Sequence, residues 1–248
     1  ANMSSIIINR GSSDGILKHL PVLSSRGVVG KITAVSKSSS EVQLISDVNF
    51  RLSVKIAPDG DTVYMTLQES NEIGWFSLSN PPSVLQNKAA YTASGHEPDG
   101  IWVSSDGSII CTGGEYDGQI GIHIVDTTTG EILEQNYANL ANDLPADWAW
   151  EDDRKGIEPE EVVIAEHNGE MYVLATLQDP SAVVVYNITD PSSPVYDSGV
   201  ITQLIDYTAV DGASSTGECE GLAVRDGYVL VANTEDPSVC LLKASWVD

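Results

Sequence analysis

The sequence predicts an all-β protein, and three observations support this class. Apolar residues alternate with polar ones or form short β-branched runs, which is the pattern of strands. Gly, Asp, Asn, Pro and Ser separate these runs, as they do in tight turns. The one candidate helix, residues 136–149, contains Pro145 and clustered Asn and Asp, so a long ordered loop is an equal alternative. The chain is therefore expected to fold from short strands.

A four-fold repeat gives these strands an order. In each copy a dipeptide favoured in two-residue hairpin turns joins two apolar strands, and a polar turn and a third strand follow. The dipeptides are Asp59-Gly60, Asp106-Gly107, Asn168-Gly169 and Asp226-Gly227, separated by 47, 62 and 58 residues. Meanders repeated at this spacing are typical of propeller blades, whereas a β-sandwich, the alternative, lacks a repeated turn. We predict a β-propeller of about four blades, complete or partial, with copies near residues 54–92, 97–135, 158–196 and 218–248.

The charge of the chain limits its partners and divides it into two parts. With 12 Lys and Arg against 36 Asp and Glu, the net charge is −24, which argues against nucleic acid as a partner. No apolar run approaches the roughly 20 residues of a membrane span. Residues 1–56 hold seven basic and three acidic groups, and residues 57–248 hold five and 33. This step predicts a boundary between Ile56 and Ala57 and two segments of different origin.

Three cysteines, Cys111, Cys219 and Cys240, cannot form a complete disulfide framework. Cys219 and Cys240 follow one another in strand-like runs and can pair in an oxidising compartment, and burial of all three in the core is the alternative. The four histidines are scattered, and no Cys or His spacing fits zinc. A zinc site is therefore not expected.

The stretch 7–56 resembles the β-rich periplasmic domain of the bacterial rod-shape family MreC. The matching segments are residues 8–16 (INRGSSDGI), 20–22 (LPV), 26–32 (RGVVGKI), 42–47 (VQLISD) and 49–56 (NFRLSVKI). The resemblance implies a small β-barrel-like module that serves as a protein–protein scaffold and carries no chemistry. Generic small-barrel strands are the alternative interpretation.

From residue 57 onward the chain resembles secreted propellers of the choice-of-anchor I type and, more distantly, phytase-like and lactonase-like propellers. The segments that carry this resemblance are residues 59–71 (DGDTVYMTLQESN), 152–162 (DDRKGIEPEEV), 185–191 (VYNITDP) and 218–224 (ECEGLAV). It implies an extracellular or periplasmic location. Because the MreC-like segment ends inside the first repeat, we expect either an atypical natural fusion or a recombined or engineered chimera.

Three copies of the repeat begin with an acidic lead. Each lead precedes the same strand at a spacing of 61 and then 60 residues, so its carboxylates should cluster at one end of the propeller axis. Such a cluster needs protons or a hard cation, and Ca²⁺, which takes six to eight oxygens, is the candidate cofactor. Carboxylates that cap strands are the alternative. The predicted metal ligands are Glu97, Asp99, Glu158, Glu160, Glu218 and Glu220.

These patterns predict a non-enzymatic binding or scaffold propeller outside the cytosol, with Ca²⁺ as a candidate ligand. Its expected partner is a protein, or a second copy joined through β-strand edges. The alternative function, implied by the phytase-like resemblance, is a Ca²⁺-dependent phosphoric-ester hydrolase. That alternative needs basic residues to hold phosphate, and only five follow residue 56. No catalytic residue is therefore predicted.

Overall fold

A computed structural model describes most of the chain in eleven segments. They are residues 4–24, 27–47, 50, 53–80, 87–144, 157–178, 181–197, 202–203, 219–225, 228–233 and 239–243. Among the predicted ligands, Glu218 lies outside these residues, as does the predicted turn at Asp226-Gly227.

The first four strands form a separate N-terminal sheet. They pair antiparallel in the order β1-β4-β3-β2. Gly30 allows β3 and β4 to approach closely, because a Cβ at this position would lie 2.0 Å from the carbonyl oxygen of Gln43. The strands are β1 Ser5–Ile8, β2 Pro21–Ser24, β3 Gly27–Val35 and β4 Ser40–Leu44.

The rest of the chain forms four antiparallel meanders, here called sheets 1 to 4. Sheet 1 contains β5 Val54–Ile56, β6 Thr62–Leu67, β7 Glu72–Ser77 and β8 Lys88–Ala90. Sheet 2 contains β9 Pro98–Val103, β10 Ile109–Gly114, β11 Gln119–Val125 and β12 Ile132–Asn139. Sheet 3 contains β13 Pro159–His167, β14 Glu170–Leu177, β15 Ala182–Asn187, β16 Val195–Tyr196 and β17 Thr202–Gln203. Sheet 4 contains β18 Cys219–Arg225, β19 Tyr228–Asn233 and β20 Val239–Lys243.

The predicted fold class is confirmed: the protein is all-β, and four repeated meanders follow a small N-terminal sheet. The sequence did not indicate β12, which occupies part of the predicted helix or loop at 136–149. Only a short α-helix, α1 Leu140–Asp143, follows it. β12 is half-exposed and carries a mixture of polar and apolar residues, so its sequence contains no clear alternation.

The five sheets stack in chain order, and an apolar core fills each junction. Val42 of the N-terminal sheet packs with Met65 and Phe76 of sheet 1. The opposite face of sheet 1 packs on sheet 2, which in turn packs on sheet 3, and sheet 3 packs on sheet 4. Each of sheets 1 to 3 therefore buries both faces, as propeller blades do.

The first strands of sheets 1 to 4 lie side by side across these junctions and line the propeller axis. Two glycines permit the contact between sheets 2 and 3. A Cβ on Gly100 in β9 would lie 2.3 Å from the carbonyl oxygen of Glu160 in β13, and one on Gly113 would lie 2.4 Å from the same oxygen. The residues that open the repeated strands are thus brought together at the axis.

The MreC-like text extends into the propeller body. Its last three residues, Val54–Ile56, form β5 and pair with β6 of sheet 1. The N-terminal sheet does not extend sheet 1 edge to edge; it covers the apolar face of that sheet. The division of the chain at residue 56 stays a prediction.

All three cysteines are free. Cys219 lies in β18 and Cys240 in β20, and β19 separates these two strands. Strands are spaced about 4.8 Å apart, so the two Cα atoms are too distant for a disulfide. Within the described residues, no helix is long and apolar enough to span a membrane.

Candidate functional site

Three of the predicted ligands meet at the axis. Asp99 lies in β9, Glu160 in β13 and Glu220 in β18, and the charges of Asp99 and Glu220 both act on Glu160. Each residue comes from a different sheet, as the spacing of the acidic leads predicted. The repeated leads therefore do bring carboxyl groups of successive sheets together.

The other two predicted ligands among the described residues, Glu97 and Glu158, belong to the turns that enter these strands. Glu97 has a left-handed backbone with φ of 44°, and its N–H donates to Asn71 Oδ1 at 3.0 Å. The carbonyl oxygen of Glu158 accepts a hydrogen bond of 2.7 Å from the N–H of Gln178. The backbone of these two residues thus helps to tie each lead to a neighbouring strand end.

Glu160 is neutral at physiological pH. Its side chain is buried, with the residue 5% exposed, and it hydrogen-bonds with the carboxyl group of Asp99. Burial raises the pKa of Glu160 far above the usual range of a carboxyl group, and the hydrogen bond and the charges of Asp99, Glu220 and Glu115 raise it further. Asp99 and Glu160 therefore form a hydrogen-bonded carboxyl pair.

Amide side chains stabilise the remaining carboxylates of this cluster. Gln68 Nε2 donates to Glu115 Oε2 across the junction of sheets 1 and 2. Gln178 Nε2 donates to Glu220 Oε1 at 3.4 Å across the junction of sheets 3 and 4. Gln68, Glu115 and Gln178 each follow the second strand of their sheet, whereas Glu220 lies in the first strand of sheet 4, so the two donors are at equivalent positions and the two acceptors are not.

The described residues do not show the geometry of a metal centre. No group of three or more His, Cys, Asp or Glu side chains among them is arranged to hold a metal ion. The raised pKa of Glu160 and two amide donors reduce the repulsion among these carboxyl groups. The Ca²⁺ ion stays a prediction.

A cleft of about 340 Å³ opens beside the carboxyl pair, between the first strands of the four sheets. Lys55 Nζ lies 2.9 Å from the ring centroid of Trp102, which is a cation–π contact. Burial lowers the pKa of Lys55, an effect that Glu161 opposes. Burial raises the pKa of Glu161 to about 7, with the charge of Asp99 as a further cause. The cleft thus combines one ammonium, one titratable carboxyl group and an indole ring.

A second polar cluster is closed to solvent inside sheet 2. His96 Nδ1 lies 3.0 Å from both carboxylate oxygens of Asp117, and His96 Nε2 lies 3.2 Å from Thr112 Oγ1. The same hydroxyl lies 3.2 Å from His123 Nε2, and the ring of Tyr91 packs on His96 with centroids 4.5 Å apart. His96 and His123 are fully buried, and burial lowers the pKa of His123 to about 3. This cluster holds the strands of sheet 2 together and is not accessible to a ligand.

Sequence reasoning missed Gln68, Gln178 and the trio of Lys55, Trp102 and Glu161. The two glutamines had a usable signal, since both directly follow the second strand of a repeat. The trio had a weaker signal, because Lys55 and Trp102 both lie four residues before the Asp of a hairpin turn, whereas Glu161 lies seven residues before Asn168. Only the stacking of the sheets brings them together.

Comparison with known proteins relates the N-terminal part to one family. A family model described as "Rod shape-determining protein MreC, barrel core" matches residues 1–105, which extends past the predicted boundary at residue 56. The cell shape-determining protein MreC of Escherichia coli is 39% identical over 51 residues, which are 21% of this chain and 14% of that protein. The MreC of Cereibacter sphaeroides is 28% identical over 144 residues, 58% of this chain and 40% of that protein. The chain thus matches less than half the length of either relative.

Solved structures relate the whole chain to propellers. The periplasmic gluconolactonase PpgL of Pseudomonas aeruginosa superimposes with a TM-score of 0.58 at 15% identity, covering 90% of this chain and 61% of that one. A protein from Lactobacillus plantarum gives a TM-score of 0.57 at 15% identity, with 86% and 60% covered. At this identity the likeness shows the fold alone. The chain spans about three fifths of each of these propellers.

Proposed function

We propose that this chain is a non-enzymatic scaffold protein that acts outside the cytoplasm and binds a protein through the outer face of its N-terminal sheet. The observation that carries the proposal is the way this sheet is used. Its apolar face covers sheet 1, and its opposite face exposes the row Ile7, Glu41 and Ala34, which are paired across β1, β4 and β3. That outer face is available to a partner without any change in the core.

The comparisons support this proposal from the sequence side. The matched relatives are named for cell-shape determination, and the match falls on the part of the chain that contains the N-terminal sheet. The resemblance to this family implies a protein–protein scaffold. A location outside the cytoplasm is what the resemblance of the N-terminal part to MreC implies.

The chemistry of the axis favours binding over catalysis. Glu160 is buried and bonded to Asp99, so its carboxyl group is shielded from a substrate in solution. The alternative, a Ca²⁺-dependent phosphoric-ester hydrolase, needs a metal ion and several cationic phosphate ligands. Among the described residues that line the cleft, Lys55 is the one with a cationic side chain. The indole of Trp102 covers its ammonium group.

Export of the chain into the periplasm of Escherichia coli tests the scaffold function, because a matched relative works in that organism. We expect rod cells to widen or round, since the chain competes with the resident MreC for protein partners. The double variant Ile7→Asp with Glu41→Lys should abolish the effect, because it changes only the outer face of the N-terminal sheet. Leu133→Lys is the matched control, an exposed apolar residue of sheet 2, and should act like the parent chain.

Immunoblots establish equal accumulation of the three proteins in the periplasm. An unchanged cell width at high accumulation would overturn the proposal, as would an undiminished effect of the Ile7 and Glu41 variant.

The Ca²⁺ prediction is carried forward as a separate proposal with its own test. Ca²⁺ would have to displace the proton of Glu160, so its binding would strengthen as pH rises. Melting the protein with Ca²⁺ and with EDTA at pH 6 and pH 8 measures this. If the melting temperature with Ca²⁺ equals that with EDTA at both pH values, the ion is removed from the proposed function. Turnover of a generic phosphomonoester that is lost in the Glu220→Gln variant would favour the hydrolase instead.

A further inference from the structure

The cleft between the first strands contains an aromatic ring whose face holds a cation. Lys55 lies in β5 of sheet 1 and Trp102 in β9 of sheet 2, and the Lys55 ammonium group lies 2.9 Å from the centroid of the indole ring. The contact is attractive because the face of the ring carries partial negative charge. We call the place above this ring face the cation position. The protein itself thus shows that an ammonium group fits there.

Two carboxyl groups lie close to the cation position. Glu161 of β13 lines the cleft, and its charge acts on the Lys55 ammonium group. Asp99 is close by, because its charge acts on Glu161 and its Oδ1 lies 3.5 Å from the Oγ of Ser53, another lining residue. Among the described residues that line the cleft, Lys55 has the one cationic side chain. In a chain of charge −24, such a cleft favours a positively charged ligand.

The walls beside these charged groups are aliphatic. Val54, Ile101 and Leu222 line the cleft from sheets 1, 2 and 4. Its volume of about 340 Å³ is at the lower end of the range of ligand pockets, about 300 to 1,000 Å³. A ligand that fits is therefore small and combines a positive charge with apolar surface.

Lys55 is an unfavourable occupant of the cation position. Burial lowers the pKa of its ammonium group, so the folded protein holds this charge less well than water does. The four-carbon stem of a lysine is flexible, and its ammonium group can return to solvent without any movement of the strand. When Lys55 leaves, its charge regains hydration and the face of Trp102 becomes free.

We propose that the cleft binds a small quaternary ammonium compound, whose charged group replaces the Lys55 ammonium group on the face of Trp102. A quaternary ammonium ion carries its charge inside methyl groups and has no N–H to hydrate, so it loses less hydration than lysine does in an apolar cleft. Its methyl groups match the aliphatic walls, and Glu161 and Asp99 balance its charge. Lys55 is then a built-in competitor of the ligand. The inference goes beyond the proposed function, which uses the outer face of the N-terminal sheet.

Glu161 should make this binding depend on pH. Burial raises the pKa of Glu161 to about 7, with the charge of Asp99 as a further cause and that of Lys55 opposing it. The group is therefore mostly neutral at pH 6 and mostly ionised at pH 8. Its neighbour Glu160, which Asp99, Glu220 and Glu115 affect, has a pKa raised above this range. A cation should accordingly bind several-fold more tightly at pH 8 than at pH 6.

An NMR titration of the full 248-residue chain at pH 6 and pH 8 tests the proposal, with choline as the probe and its uncharged analogue 3,3-dimethyl-1-butanol as the control ligand. The indole N–H signals of the five tryptophans are followed at constant ionic strength, and Trp102→Phe identifies the signal of Trp102. We expect choline to shift this signal and to saturate it in the millimolar range. The analogue should bind at least about tenfold more weakly, because it has no charge for the indole and the carboxylates to attract.

Two lysine variants test the competition. Lys55→Met removes the ammonium group and keeps an apolar chain of similar length, so this variant should bind choline at least about threefold more tightly than the parent. Lys31→Met is the matched control, because Lys31 Nζ lies 5.9 Å from the ring centroid of Phe50, outside the cleft. It should leave the dissociation constant unchanged.

Circular dichroism establishes that each variant remains folded, and the comparison of the two ligands needs the parent chain alone. A Trp102 signal that does not respond to choline would overturn the proposal. So would equal binding of choline and its uncharged analogue, equal affinity at pH 6 and pH 8, or a Lys55→Met protein that binds choline no more tightly than the parent.

Discussion

Glu160 differs from most of the 36 acidic residues of this chain because folding removes its charge. Burial disfavours the carboxylate form, and the hydrogen bond with Asp99 and its charge raise the pKa of Glu160 further. Glu161, its neighbour in sequence, lies in the cleft and is affected by burial in the same direction. Glu160 and Glu161, which are adjacent in the sequence, are thus two carboxyl groups at the axis with a raised pKa.

These raised pKa values make stability depend on pH. In the unfolded chain a glutamate releases its proton at about pH 4.5, while Glu161 keeps it in the folded chain up to about pH 7, and Glu160 to still higher pH. Between these values the folded state binds more protons than the unfolded state. The contribution of both groups is therefore fully present below pH 4.5 and is lost as pH rises, so the free energy of unfolding should fall from pH 5 to pH 8.

Glu160→Gln should remove much of this dependence. The amide keeps a hydrogen bond to Asp99 and carries no charge, so we expect the variant to be more stable than the parent by about 1 to 3 kcal/mol at pH 8 and nearly equal at pH 5. Urea unfolding at the two pH values measures the difference. Glu134→Gln, at an exposed position of β12, is the control and should change neither value. A Glu160→Gln protein that is less stable than the parent at pH 8 would contradict the neutral carboxyl pair.

Two buried histidines, His96 and His123, form a second group of titratable side chains that folding removes from water. Thr112 lies between His96 and His123, and its hydroxyl is within hydrogen-bond distance of both rings. Asp117 holds the other side of His96. The cluster is thus an internal polar network, and its residues serve the packing of sheet 2.

The first strands of sheets 2 and 3 approach one another closely at Gly100. Gly100 follows Asp99 in β9, and the corresponding residue of sheet 4 is Gly221, which follows Glu220 in β18. A Cβ on Gly100 would lie 2.3 Å from the carbonyl oxygen of Glu160, a backbone atom that cannot move aside. A Cβ on Gly221 would approach only the Cβ of Ala232, at 3.3 Å. Equivalent glycines therefore have different roles.

Gly100→Ala should destabilise the protein by about 2 to 4 kcal/mol, because the added methyl group forces sheets 2 and 3 apart. Gly221→Ala, the matched substitution in the first strand of sheet 4, should change stability by less than about 1 kcal/mol. Chemical denaturation of both variants provides the measurement. Similar losses at the two positions would mean that sheet 4 also has a close neighbour at its first strand.

At the scale of the whole molecule, the N-terminal sheet acts as a cap for the propeller body. Its residues Ile32 and Val42 pack with Val63, Met65 and Phe76 of sheet 1, all of them buried. The MreC-like segment therefore contributes half of a core, and β5 contributes a strand to sheet 1 as well. Whatever the origin of the predicted boundary at residue 56, the two sides depend on one another.

Removing residues 1–52 should expose the apolar face of sheet 1. We expect the shortened chain, which retains β5, to melt about 10 °C or more below the full chain and to bind the dye ANS, because several buried side chains become accessible to water. Differential scanning fluorimetry compares the two. The full-length variant Ile7→Lys changes only the outer face of the cap and should melt close to the parent. A shortened chain as stable as the parent would show that the N-terminal sheet does not stabilise the propeller body. That result would also contradict the chimera hypothesis, in which the MreC-like strands complete the propeller.

The sequence by itself determined the strand class, the four-fold repeat and the arrival of acidic residues at one end of the axis. These follow from local rules: alternation sets strands, Asp-Gly and Asn-Gly set turns, and equal spacing puts Asp99, Glu160 and Glu220 at equivalent positions. Packing decided the rest, because the outcome depends on distances between sheets that no local pattern encodes. Burial and the neighbouring Asp99 raised the pKa of Glu160, Lys55 met Trp102 and Glu161 across two junctions, and β19 held Cys219 and Cys240 apart.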